Sequence, residues 1–171
     1  MASSVTISFV VAATTVSGLL AGTNIDRLIV QMPAWEQVGV FAWATYSREA
    51  DLGNGLVLYP LEAIGGALLT VCAAVAFYFD RTAPRSATIP IYAAVVLVLG
   101  GLLATTQAAP YMLSLREIGN DPAALQRAFD GFNRWGMVRA VFQVLAFGVN
   151  LWALVSVLRS KCACGLASTL D

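Results

Sequence analysis

Four long stretches of this chain carry almost no charge, and that constrains its fold more than any other feature. Val5 to Ile25 contains no charged side chain, and neither does Ser86 to Leu115 or Ala140 to Leu158. Gly55 to Phe79 contains one, Glu62. A helix needs roughly 20 mostly apolar residues to cross about 30 Å of hydrocarbon, and each stretch approaches or exceeds that length. In lipid every backbone polar group must be paired within the segment, so such stretches fold as helices. Four of them close a small bundle. The expected fold is therefore all-α: a four-transmembrane-helix bundle forming one membrane domain over residues 1–171, with spans near 5–26, 55–79, 88–112 and 137–158.

Composition supports a lipid solvent. Hydrophobic residues make up 58% of the 171 residues and charged residues only 12%, about half the charge of an ordinary soluble domain. Ten basic residues balance ten acidic ones, with no basic stripe, which argues against nucleic acid as a partner. The first apolar run lacks a basic n-region and a small-residue cleavage site, so it reads as a span and not as a signal peptide.

The connections are unequal. Residues 80–85 form a short turn between the second and third spans. Residues 26–54 and 116–135 are long, and with four spans both lie on one side, opposite the turn and the termini. Pro33 to Trp43 begins with a proline suited to a first helical turn and carries tryptophans suited to a membrane interface, so a short interfacial helix is expected there. Asn120-Asp121-Pro122 places an Asx cap before a prolyl first turn, which starts a helix near Pro122. Orientation follows from Arg81, Arg85, Arg159 and Lys161 on the turn side. A raw count of arginines favours the opposite side, which carries Arg27, Arg48, Arg116, Arg127, Arg134 and Arg139. Weighted by short loops, both termini are expected in the cytoplasm, and the expected membrane is a bacterial inner one.

Histidine is absent. That removes His-ligated haem, His-based metal sites and the usual neutral-pH base. No cofactor and no metal site is expected. The cysteines are Cys72, Cys162 and Cys164. Cys72, inside an apolar run, reads as a core residue, and the C-x-C of the tail has too few ligands for zinc.

The candidate site begins with Glu62. A carboxylate about 10 Å into a span is costly and needs a partner or a cavity. Tyr59 lies three residues before it. In the fourth span Arg139, Gln143 and Asn150 share one narrow helical stripe that should face the bundle interior. Two readings of Glu62 and Arg139 stay open: they pair or share a pocket, or Arg139 snorkels to the headgroups while Glu62 locks two helices. Asp26 ends a row of small residues, Thr14, Gly18 and Gly22, that reads as a packing seam. Gln107 and Tyr111 form an i, i+4 pair. Asn54, between Gly53 and Gly55, belongs to the densest polar stretch, residues 46–55, which reads equally as a solvated loop. Tyr59, Gln107, Gln143, Asn150, Asp26 and Asn54 are the candidate ligand-binding residues, with Glu62 and Arg139 as candidate catalytic ones.

Gly22-Thr23-Asn24-Ile25-Asp26-Arg27 leading to Met32-Pro33-Ala34, and Phe132-Asn133-Arg134-Trp135 leading to Arg139, resemble a family of small four-helix membrane proteins that includes the fungal anthrone oxygenases. The resemblance spans nearly the whole chain in layout. It implies a four-helix membrane fold and, more weakly, cofactor-independent oxygen insertion into a readily deprotonated polycyclic phenol, with Glu62 as base and Tyr59, Gln107 and Arg139 orienting the oxyanion. From the residues, the first expectation is a polar pocket for an apolar or aromatic small molecule near one membrane face. The alternatives are a non-catalytic subunit or assembly factor docked on a membrane protein partner, and an oligomeric transporter or channel.

Overall fold

The computed structural model describes residues 2–167, with the backbone alone from 161 onward. The described residues are predominantly helical, and no strand occurs among them. The elements are α1 (Ser4–Asp26), α2 (Met32–Val38), α3 (Val40–Glu49), α4 (Gly55–Phe79), α5 (Thr88–Leu113) and α6 (Pro122–Ala167). Four continuous helical runs, 4–38, 40–79, 85–116 and 122–160, are long and apolar enough to cross a membrane. α1, α4, α5 and α6 form a closed ring in which α1 packs on α4, α4 on α5, α5 on α6 and α6 on α1.

Local chemistry sets the ends of these helices. Ser3 caps α1 by accepting from the Thr6 amide at 3.1 Å. Asp121 accepts from the Ala123 amide at 3.1 Å and so caps α6 just before Pro122, as an Asx–Pro start requires. The segment from Met32 to Glu49 is two helices, not one. They part at Gly39, whose φ of 103° suits a residue without a Cβ. Each is joined to its span by a widened π-helical turn, Arg27–Gln31 on one side and Ala50–Asn54 on the other.

Together α2 and α3 make a cap over one end of the bundle. Trp43, expected at a membrane interface, is 1% exposed. It meets Phe129 edge-on at 5.1 Å between centroids and Phe132 at 6.3 Å. Around it cluster Met32, Ala44, Met112, Leu115 and Leu125. Burial of this kind is worth about 25 cal/mol per Å² of apolar area, so the cap is an integral part of the bundle. Arg48 extends the attachment: its guanidinium donates to the Leu115 carbonyl at 2.9 Å, to Asn120 Oδ1 at 3.2 Å and to the Gly119 carbonyl. Residues 46–55 are thus not a solvated loop.

A second apolar cluster fills the other end, built from Val10, Ala13, Ala73, Phe77, Ile91, Ala153 and Val157. There Asp80 accepts from the Ser3 amide at 2.6 Å and the Thr6 hydroxyl at 2.8 Å, which fixes the start of α1 against the turn after α4. Close helix approach depends on small residues. A Cβ at Gly131 would run into the Tyr111 ring, and one at Gly100 would stand 2.6 Å from the Phe142 ring. In the expected seam on α1, Thr14 is buried and Gly18 meets Phe147, whereas Gly22 is open. Cys72 is exposed, not in the core: it lies on the outer face of α4, where the apolar run gave no sign of which side turns inward. Cys162 and Cys164 lie where no side chain is described.

Candidate functional site

Between the two apolar clusters lies a cavity of about 550 Å³, within the 300–1,000 Å³ typical of small-molecule sites. α4 and α5 supply most of its wall, and α1, α6 and the two π-helical turns the rest. The wall is mainly aliphatic, with Leu20, Leu56, Ile64, Leu102, Ala109 and Leu113 prominent. Leu56, Ile64 and Leu113 line the cavity and are also 41%, 53% and 43% exposed, so the space is not sealed on the α4–α5 side.

The polar groups gather towards the cap. Arg27, at the end of α1, donates to Asp51 Oδ2 at 2.5 Å, the sole ion pair among the described residues. Their side chains are 16% and 3% exposed. The π-helical turns carry both: Arg27 opens one and Asp51 sits inside the other. Such turns are frequent at functional sites. The Arg27 guanidinium stands 4.9 Å from the Phe132 ring centroid and 5.7 Å from that of Tyr59. Arg139 stands 5.8 Å from the same Phe132 ring, so two cations flank one aromatic. Arg139 Nε donates to Asn24 Oδ1 at 3.0 Å. Asn24 in turn donates to the Leu20 carbonyl at 2.8 Å, which fixes its amide orientation.

Of the expected residues, Tyr59, Glu62, Arg139 and Gln143 line this one cavity. Glu62 and Arg139 are not an ion pair. Arg139 takes a neutral amide as its partner, Glu62 makes no hydrogen bond to a described residue, and the ion pair of this layer is Arg27–Asp51 instead. Asn150 is buried one layer deeper, where it donates to Ser17 Oγ at 3.1 Å and its carbonyl accepts from Thr14 at 3.3 Å; it locks α6 to α1 and does not line the cavity. Gln107, Asp26 and Asn54 are exposed and outside the cavity wall. Asp26 accepts from Gln31 at 2.7 Å. Gln107 falls outside because the wall-forming stripe of α5 runs through Leu102, Thr105, Ala109 and Met112.

Sequence reasoning missed Asn24, Arg27 and Asp51 as site residues. The available signal was the i, i+3 spacing of Asn24 and Arg27, which puts both on one helical face. Three buried polar atoms have no hydrogen-bond partner among the described residues, Ser47 Oγ, Asp51 Oδ1 and Gln143 Oε1, and the last two belong to residues that line the cavity. The Tyr59 hydroxyl stands close enough to Asp51 to interact with it electrostatically, which leaves Gln143 as the sharper orphan. Among the described residues no group of three or more Cys, Asp or Glu side chains is arranged to hold a metal ion. The arrangement can receive an apolar body against its aliphatic wall and read a polar end near Arg139, Gln143 and Glu62.

Comparison with protein-family models, with curated proteins and with solved structures yields no match to this chain. Its class is therefore set by the fold and the cavity: an all-helical chain with four helices of membrane-crossing length and apolarity around a cavity with a polar end.

Proposed function

We propose that this is an integral membrane protein that binds a largely apolar small molecule in the cavity between α4 and α5. The carrying observation is the cavity itself: about 550 Å³, aliphatic along its wall, with Arg27, Asp51, Glu62, Arg139 and Gln143 among the residues that line it. A charged group inside a span is costly and marks a partner or pathway, and four such groups lining one space point to a ligand site. The resemblance to the anthrone oxygenase-like family extends this reading to oxidation of an aromatic substrate. In that reading Glu62 takes a proton from an acidic C–H or O–H, Arg139 faces the resulting oxyanion, and dioxygen is the oxidant: one of its atoms enters the substrate as a ring carbonyl and the other leaves as water with the two hydrogens lost from that carbon. The α2–α3 cap then lies at the membrane interface on the long-connection side.

The test is extraction of protein purified in mild detergent, with mass spectrometry of what remains bound. Wild type should carry a small apolar molecule that Ala63→Trp, which fills the cavity, excludes. Equal content in the two proteins rules the reading out. For the oxidative extension, Glu62→Gln should abolish oxygen uptake with an anthrone while retaining binding, and unchanged uptake eliminates the base.

A further inference from the structure

The polar end of the cavity also constrains the head group of its ligand, a constraint that rests on the cavity being a ligand site. Its ionisable lining residues are Arg27, Arg139, Asp51 and Glu62, two cations and two anions. A ligand with a net charge would add an unbalanced charge to a low-dielectric space. The hydrogen-bonding capacity is mixed, with unengaged donors and unengaged acceptors side by side. Arg139 has five N–H donors, of which Nε is engaged by Asn24. Against these stand the Gln143 Oε1 acceptor, in a side chain about nine-tenths buried and without a donor, and the unpaired Glu62 carboxylate. A buried acceptor left without a donor is destabilising, and a ligand that donates to it gains the difference. The matching chemistry is a hydroxyl, which donates to Gln143 or Glu62 and accepts from Arg139. Ketones, quinones and ethers accept only.

We propose that the cavity takes a neutral amphiphile whose head group carries two or more hydroxyls. It enters from the lipid side, past Leu56, Ile64 and Leu113, and leaves its apolar body on the aliphatic wall.

Binding of three probes to the detergent-purified full chain tests this: monoolein, its di-O-methyl ether and oleate. Monoolein should bind roughly tenfold more tightly than the ether, the worth of one or two hydrogen bonds, and more tightly than oleate. Gln143→Met keeps the side-chain volume and removes the acceptor, so it should weaken monoolein and narrow its advantage over the ether. Glu62→Gln replaces a carboxylate acceptor by a weaker neutral one and removes a negative charge, so it should weaken monoolein and strengthen oleate; this variant carries the test if Gln143→Met does not fold. Ether binding equal to monoolein, or oleate binding tightest, overturns the head-group assignment while leaving the cavity as a ligand site. Binding of none of the probes overturns the assignment. Binding unaffected by Ala63→Trp overturns the cavity reading as well.

Discussion

Arg27 and Asp51 sit 24 positions apart in sequence, and their pairing decides the electrostatics of the polar layer. A buried pair contributes little net stability, yet removing one partner strands the other. Arg27→Leu should therefore destabilise the protein by about 3–5 kcal/mol, and the Arg27→Leu/Asp51→Leu double variant by less than the single change. A double-mutant cycle on thermal unfolding in detergent measures this. The same cycle on Glu62 and Arg139 should give a smaller coupling than that of Arg27 and Asp51, since no ion pair joins them. The sequence made Glu62 and Arg139 conspicuous, because each is a lone charge in or beside an apolar run, but it held no information on which carboxylate lies within reach of which guanidinium. That depends on the two π-helical turns, which change the facing of every side chain after them. The Arg139–Gln143–Asn150 stripe was legible, since helical periodicity alone turns all three inward. The exposure of Cys72 was not, because an apolar run surrounded by lipid has no polar face to mark its outside.

At the scale of single elements, two fastenings hold the ends of the bundle. At the turn end, burial acts to raise the Asp80 pKa, but hydrogen bonds from the Thr82 hydroxyl, the Ser3 amide, the Thr6 hydroxyl and the Thr82 amide outweigh it and hold the carboxyl well below the usual carboxylate range. A carboxylate depressed in the folded state contributes stability that is complete above its unfolded pKa of about 3.9 and is lost as pH falls through the folded value. Asp80→Asn should accordingly lower the Tm at pH 7, and its deficit against wild type should shrink as pH falls below about 3.9. A deficit that stays constant down to about pH 2 argues against the carboxylate. At the cap end, Gly39→Ala puts a Cβ on a backbone with φ 103° and ψ 156°, a region essentially confined to glycine, and should cost about 1–3 kcal/mol. Its effect should appear as faster amide exchange in α2 and α3, with the cores of α5 and α6 unchanged. Gly39 lies inside the stretch read from sequence as one short helix. Its sign of φ is the detail that a propensity argument does not contain.

For the molecule as a whole, the distribution of packing predicts where it is soft. Apolar clusters close both ends, and α5 packs intimately on α6 through Gly100, Gly101 and Gly131. The open space lies between α4 and α5. Any molecule that fills it binds only the folded state, so it should raise the Tm with its logarithm of concentration. Gly131→Ala, which drives a Cβ into Tyr111 on the opposite, tight side, should cost about 1–3 kcal/mol and leave that ligand-induced shift in place. Four spans and their antiparallel order could be read from hydrophobic length alone. The cavity could not, because it exists by virtue of the distance between two helices, and no local pattern encodes a gap.

The π-helical turns carry a genetic consequence. A turn closed by i to i+5 bonds holds one residue more than an α-turn, so Arg27–Gln31 behaves as a tolerated single-codon insertion. Everything after it is rotated by about 100° relative to an uninterrupted helix. Met32, 4% exposed under the cap, is buried only in that rotated phase. Deleting Ile29, whose side chain is 66% exposed and touches little, should thus do far more harm than replacing it. Ile29→Ala should be silent in a stability screen, whereas the in-frame deletion should turn Met32 and Trp35 out of the core. A deletion scan across residues 27–31 would then read out helical phase directly, one codon at a time.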